Sequence, residues 1–358
     1  MGGQKGIALF YQFLTKKNAV TLISTENNEQ PEGLHAEFLP IMSNSILRYL
    51  NPFLFFTTLS IIKKRKSSHL LLEHPYLGWL GLLIKWTCKI RLVIHSHNIE
   101  SLRFKSTGKW WWKILWQYER FIHINADVNF FITDEDRHYA IEKFNLKEKK
   151  CHTITYGFDM GSPPSIEEKK DAKIQLQQQY NFASDATILL FNGTLDYKPN
   201  LDALDIIINT INPILLQAKQ FNYSILICGK NLPSRYNNLI DYKNKHIIYA
   251  GFVDDISLYF KGADIFINPV TDGGGIKTKL VEALGFDLFC ISTKNGAIGV
   301  PINICNHRLT IIEDNHFDAF ANSIITANPQ QFHINEDFFH HFFWENITDK
   351  ASAIINNH

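Results

Sequence analysis

The sequence predicts an α/β chain built from two Rossmann-like, doubly wound domains. Three observations carry that expectation. Short aliphatic or β-branched runs, apolar on both faces, alternate with longer amphipathic segments, the pattern of parallel sheets covered on each side. These runs fall into two series, separated by YGFDMGSPPSIEEKK (156–170), where glycine, two prolines and a charge run read as a linker. At 358 residues the chain also exceeds the roughly 250–300 at which single cores stop growing.

Taken in order, the first series is AVTLIS (19–24), HLLLEH (69–74), RLVIHS (91–96), DVNFFIT (127–133) and CHTITY (151–156). The second is TILLFNG (187–193), YSILICG (223–229), HIIYAG (246–251), DIFINPV (264–270) and LFCIST (288–293). Helix patterns such as WWKILWQYERFIHI and LDALDIIINTINPILLQA lie between them. MGGQKGIALFYQFLTKKNAVTLIST reads as glycine loop, helix, then strand, and FFWENITDKASAIINN (342–357) as a terminal helix. The expected division is therefore 1–160, 161–335 and a returning segment 336–358.

Composition excludes several classes. A formal net charge of +1 leaves no global basic excess for neutralising nucleic-acid phosphates. Five scattered cysteines form no Cys-x-x-Cys pair, so neither a disulfide framework nor a zinc knuckle is indicated, and a reducing cytosol suits them. LNPFLFFTTLSII (50–62) is too short to span a bilayer, and the stretch 70–94 is broken by Glu73, His74, Pro75, Lys85 and Arg91. No charged segment followed by an apolar run marks a signal peptide at the start of the sequence.

In open parallel sheets, ligands sit beyond the carboxyl ends of the strands. NPVTDGGGIKTKLVEALG (268–285) follows such a strand. Gly273, Gly274 and Gly275 lead into a helix expected to begin near Ile276 and end at Gly285 as its C′ glycine. Free N–H groups at that end, with Lys277 and Lys279, suit an anion, and Glu282 lies one turn on, placed to accept from ribose hydroxyls. A flexible surface loop before a Lys–Glu pair is the alternative. After the third strand, His95 and His97 share a side; His95 is assigned to the interdomain wall and His97 to a functional contact. Neither has a third zinc ligand nearby in sequence. Asn98 and Glu100 would hold that loop through backbone hydrogen bonds. DED (134–136) has a metal-binding spacing, but Thr133 three residues before Asp136 reads as a helix cap. KSTGKWWWKILWQYER (105–120) and KKRK (63–66) combine tryptophans with lysines, which suits a membrane interface or, alternatively, a core helix with a solvated charge run.

GFVDDISLYFKGADIFINPVTDGGGIKTKLVEALGFDLFCISTKNGAIG (251–299) resembles the donor-binding half of GT-B-fold glycosyltransferases, in particular glycosyltransferase family 4. LLFNGTLDYKPNLDAL (189–204) resembles the opening of that domain, and HSHNIESLRF (95–104) and FITDEDRHYA (131–140) resemble first-domain landmarks. The resemblance implies a GT-B architecture, two Rossmann-like domains facing a cleft, with a nucleoside-diphosphate sugar bound in the second. Gly193 opens that site. Gly251, Phe252 and Val253 would lie against the base, Lys279 on the diphosphate and Glu282 on the ribose, with Gly296 to Gly299 closing the pocket. His97 would lie near the transferred sugar, and Gly2 and Gly3 in an acceptor-side loop that a β-strand normally precedes. The implied true start therefore lies upstream, or the chain is truncated. The terminal helix would cross back onto the first domain.

Two positions depart from the pattern. Gly274 stands where many members carry a glutamate eight residues before the position of Glu282, and Asp272 is the candidate substitute. Thr194 stands where many carry arginine, with Lys198 as the candidate replacement. The implied activity is transfer of a sugar to a glycan or lipid-linked glycan, with retention, without metal or cofactor. A nucleotide-sugar epimerase and a non-catalytic donor-binding protein are the alternatives.

Overall fold

The computed structural model describes residues 2–357. In chain order the elements are α1 (Gly2–Leu14), β1 (Thr21–Thr25), β2 (Glu37–Met42), α2 (Phe53–Arg65), β3 (His69–Glu73), α3 (Gly78–Cys88), β4 (Arg91–Ser96), α4 (Glu100–Ser106), α5 (Trp112–Asn125), β5 (Val128–Phe131), α6 (Asp134–Lys143) and β6 (Cys151–Thr153). After the linker come α7 (Ile166–Tyr180), β7 (Thr187–Asn192), α8 (Lys198–Ile206), α9 (Asn212–Gln217), β8 (Tyr223–Cys228), β9 (Ile247–Gly251), α10 (Ile256–Gly262) and β10 (Ile265–Asn268). The chain closes with α11 (Thr278–Gly285), β11 (Phe289–Thr293), β12 (Leu309–Ile312), α12 (Phe317–Ile325), α13 (Glu336–Phe342) and α14 (Trp344–Asn357).

These elements form two compact units, Gly2–Gly157 with Trp344 onward, and Phe158–Phe343. The second unit is a six-stranded sheet in the order β12-β11-β10-β7-β8-β9 with every neighbouring pair parallel. Its central strands are buried throughout, as in YSILIC of β8 and IFIN of β10, so each is apolar on both faces. Phe191, Ile227, Ile267 and Ile291 join Leu204 and Phe320 from the flanking helices in one core cluster. Helix α7 enters through a full capping box between Ser165 and Glu168, so the polar run after the linker prolines is a helix start. The chain passes from β7 to β8 and β9 on one side and then to β10 on the other. The sheet's switch point therefore lies between β7 and β10.

In the first unit, β3-β4-β5-β6 form a parallel sheet, while β1 and β2 pair separately. Strand β2 escaped the sequence pattern because Pro40 interrupts it. Proline removes a ladder donor and is confined to edges and bulges, and here the register slips beside it, between Ser24 and Thr25. Helix α14 packs along α1, with the ring of Trp344 against Phe10 and Asn18 bonded to Ser352. Thr133 accepts from Asp136 N and caps α6. No helix among the described residues is long and apolar enough to cross a membrane.

Three local expectations are corrected. Gly2 and Gly3 lie in the first turn of α1, not in a loop; that turn's N–H groups need no partner four residues back, so glycine is accommodated there. Helix α11 begins at Thr278, not near Ile276, because Gly275 is still left-handed (φ 68°). Gly285 closes the helix itself, its missing side chain leaving room for the Phe158 ring, and Asp287 takes the left-handed position instead.

Candidate functional site

The carboxyl ends of β7, β8 and β9 are laced together by their glycines. Gly193 N donates to Cys228 O (3.0 Å) and Gly229 N to Gly251 O (2.8 Å). A β-carbon on Gly229 would strike the Gly193 carbonyl oxygen, so glycine is required for the two turns to meet. Gly251 has φ 76°, and Phe252 after it is 68% exposed, with Val253 half-buried. At the other side of the switch point, the 269–277 loop crosses toward the 194–200 loop. A β-carbon on Gly273 would touch Pro199 and Tyr197.

The two lysines of this region have different tasks. Lys277 Nζ donates to the carbonyls of Gly273 (2.7 Å) and Gly275 (3.0 Å), so it staples the glycine loop. Lys279, one helical step inside, donates to Asn192 O (3.2 Å) and Asn200 Oδ1 (2.9 Å), and its ammonium lies over the Phe191 ring. It forms no ion pair with a carboxylate among the described residues. Burial, and secondarily Lys277, lowers its pKa to about 7. Beside it, the carboxamide oxygens of Asn192 and Asn268 are enclosed without a hydrogen-bond partner. A cation held by neutral groups only, beside a glycine loop, is suited to an anion.

Glu282 follows on the next turn of α11, partly exposed. Gly274 is exposed, and Asp272 Oδ1 accepts from Gly273 N (2.6 Å). Gly296 seats on the end of β10: a β-carbon there would lie 2.5 Å from Ser292 Oγ and 2.6 Å from Asn268 Nδ2. Asn268 Nδ2 donates to Gly296 O (3.0 Å), and Asn295 donates to the carbonyls of Asp272 and Gly273, joining this turn to the glycine loop. Gly299 has φ 82°. Lys198 is not drawn into this cluster. It is 75% exposed and pairs with Asp202 (2.5 Å), which, with a lesser contribution from Asp272, raises its pKa.

The first unit assembles a different group at its strand ends. Parallel register sets Glu73 of β3 beside His95 of β4. The Glu73 carboxylate lies 2.6 Å from His97 Nε2 and 3.2 Å from His95 Nδ1, and Tyr11 bonds to it as well. Burial would raise the carboxyl pKa, but His95 and His97 outweigh it and hold it well below its ordinary value. An ionised carboxylate only accepts, so His97 Nε2 and His95 Nδ1 both carry protons. Glu73, His95 and His97 also bring three ligand atoms within 4.8 Å of one another, the third partner that sequence spacing did not reveal. His95 is buried among Phe10, Phe130 and these groups.

Asn98 is half-buried, next to the start of α4. Glu100 does not hold its loop through backbone bonds. Its buried carboxylate accepts from the Tyr76 hydroxyl (2.5 Å) and Arg103 Nε (2.8 Å) and faces His74 Nδ1 (3.3 Å). These partners outweigh burial and bring its pKa to about 2. The backbone task falls to Glu119, which accepts from Glu100 N, Ser101 N and Ser101 Oγ. Sequence spacing did not reveal Glu73, Glu119, Asn192, Asn200 or Asn268. For Glu73 a signal existed, since it and the histidines end two apolar strands of one series.

Two family models match the chain, one described as Glycosyltransferase Family 4 over residues 2–161 and one as Glycosyl transferases group 1 over residues 186–327. An uncharacterized 44.6 kDa protein in the cps region of Klebsiella pneumoniae is 27% identical over 143 residues. That stretch is 38% of this chain and 36% of the relative, so the match spans little more than a third of the relative's length. Among solved structures, a glycosyltransferase from Rickettsia africae ESF-5 is similar with a TM-score of 0.74 at 16% identity, covering 99% of this chain and 95% of that one. Anabaena Alr3699/HepE in complex with UDP gives 0.63 at 14% identity, over 91% and 87%. WaaG, a glycosyltransferase involved in lipopolysaccharide biosynthesis, gives 0.63 at 11% identity, over 100% and 96%. At these identities the structural likeness concerns the fold. With one glycosyltransferase model over each half and matching folds along its length, the chain belongs to the GT-B-fold glycosyltransferases, a family 4 domain followed by a group 1 domain.

Proposed function

We propose that this glycosyltransferase moves a sugar from a nucleoside-diphosphate sugar to a glycan or lipid-linked glycan, with retention, in polysaccharide or glycolipid assembly. The observation that carries the reading is Lys279: a desolvated ammonium without a carboxylate partner, set at the switch point beside a glycine loop. A diphosphate would supply the missing negative charge. As the bond to the sugar breaks, charge grows on that leaving group, and Lys279 with the loop N–H groups would stabilise it without a metal. Exposed Phe252 offers an aromatic face to the base, and Glu282 would accept from the ribose. Asp272, and His97 with its Nε2 committed to Glu73, are the groups proposed to meet the reacting sugar. The Klebsiella relative's cps-region origin and the UDP bound to the Anabaena protein support a polysaccharide setting and a nucleotide donor. We further place the enzyme in the cytoplasm, in peripheral contact with the inner face of the membrane.

Calorimetry with UDP, GDP, CDP and ADP, with and without EDTA, tests the reading on wild type and Lys279→Ala. One nucleotide should bind, survive chelation and weaken in the variant; binding by none would overturn the reading. Turnover should also survive EDTA, and complete loss restored by manganese would overturn metal independence. Donor turnover without any acceptor would point to an epimerase instead.

A further inference from the structure

The charge of this chain is unevenly spread. Residues 38–126 hold thirteen Lys and Arg against three Asp and Glu, although the whole chain carries only +1. Those three acids are turned inward: Glu100 and Glu119 are buried, and Glu73 is bound to its histidines. Arg65 and Lys85 are paired with Glu37 and Asp127 just outside this span and Arg103 with Glu100, and the charge that remains toward solvent is positive.

The same region carries an exposed apolar face. Helix α2 buries Leu54, Thr58 and Ile62, of which Leu54 and Ile62 pack with Leu80 and Ile84 of α3. Helix α3 in turn meets α5, where Gly78 lies against Ile122 and Leu82 shares a cluster with it. The three helices pack in a row, α2 against α3 and α3 against α5, and each leaves one face to solvent. Those faces carry large apolar side chains among polar ones such as Thr57, Ser60 and Gln117. Helix α2 shows Phe53 and Phe56, and α3 shows Leu83 and Trp86. Helix α5 shows Ile114, Phe121 and Ile124, with Trp110 just before it 82% exposed. The 3-10 turn leading into α2 adds Ile46 and Leu50, each 77% exposed. Single exposed apolar residues are ordinary, but a contiguous set marks a binding surface.

Lysines frame it. Lys63, Lys64 and Lys66 end α2, Lys89 follows α3, and Lys109 and Lys113 flank the start of α5. Protein interfaces deplete lysine at their cores. An apolar face ringed by flexible lysines and tryptophan fits the boundary of a negatively charged bilayer, where ammonium groups reach headgroups and the rings enter the acyl edge. We propose that the outer faces of α2, α3 and α5, with the 46–50 turn, dock the enzyme on an anionic lipid bilayer. The proposal rests on the peripheral contact put forward above and gives it a surface and a lipid chemistry.

Vesicle flotation tests it, with neutral phosphatidylcholine vesicles and vesicles containing about one-third phosphatidylglycerol, at low and high salt. Wild type should float with the anionic vesicles only, and high salt should release it. Lys63→Gln, Lys64→Gln and Lys66→Gln together should weaken partitioning about a hundredfold, at roughly fivefold per residue. Phe53→Ser with Phe56→Ser should abolish flotation. All five residues are exposed, and nucleotide calorimetry on the same preparations reports whether the donor site persists. Failure of wild type to float at low salt, or unchanged flotation by both variants, overturns the proposal even where nucleotide binding is intact. So does a wild-type dimer that the phenylalanine variant dissolves, since a second copy would then cover the face.

Discussion

The strand ends of the two units handle charge in opposite ways. In the first unit, Glu73 is bonded to two histidines and a tyrosine, and Glu100 to a tyrosine and an arginine, so every charge there is answered within the fold. In the second, Lys279 is desolvated with only neutral acceptors around it. Buried charges are normally paired; the first arrangement holds its own side chains, His97 among them, in place, whereas around Lys279 the fold supplies no carboxylate. The contrast teaches where to look for binding energy: in the group whose partner the fold does not supply.

The largest effect expected from breaking that contrast is on the lysine. Lys279→Ala should reduce kcat/KM by about 10²–10³-fold, the usual cost of removing one preorganised donor to a developing charge, while the melting curve changes little. Unchanged kinetics in this variant would erase the distinction between the units.

Glu73→Ala should instead show first in stability. Two imidazole N–H groups would lose their acceptor, costing about 2–3 kcal/mol of stability in urea titrations. The folded pKa of Glu73 lies below its unfolded value of about 4.3–4.5. Its contribution is therefore present above that value and lost as pH falls through the folded pKa. The difference between wild type and variant should shrink in acid, below that unfolded value; a difference that grows in acid would contradict the assignment.

A smaller, graded effect is expected on nucleotide affinity. Free Lys279 titrates near 7, and a bound diphosphate would restore its protonated form. Above pH 7 binding must then take up a proton, so Kd should rise about tenfold per pH unit. Calorimetry in buffers of different ionisation enthalpy would count that proton, and a Kd independent of pH from 6 to 9 would place the charge elsewhere. The smallest effect belongs to Lys198→Ala, whose exposed pair with Asp202 should leave the melting curve unchanged and Kd within about twofold. A large loss of affinity would mean that Lys198 leaves Asp202 for the ligand.

The sequence alone determined most of the parallel strands, though not β2 or β12, because a strand buried on both faces must be written as a continuous apolar run, as in TILLFN and YSILIC. The Thr133 cap was equally legible, since capping chemistry spans three residues and needs no distant partner. The glycine run and Lys279 were visible as types at a spacing. Only the tertiary structure decided their tasks: that Lys277 is spent on its own loop while Lys279 reaches across the switch point to Asn192 and Asn200. It also decided that Glu73 joins the histidines and that α2, α3 and α5 pack in a row. Strand register and helix packing bring together residues far apart in the chain, and local periodicity carries no information about which distant neighbour a side chain will meet.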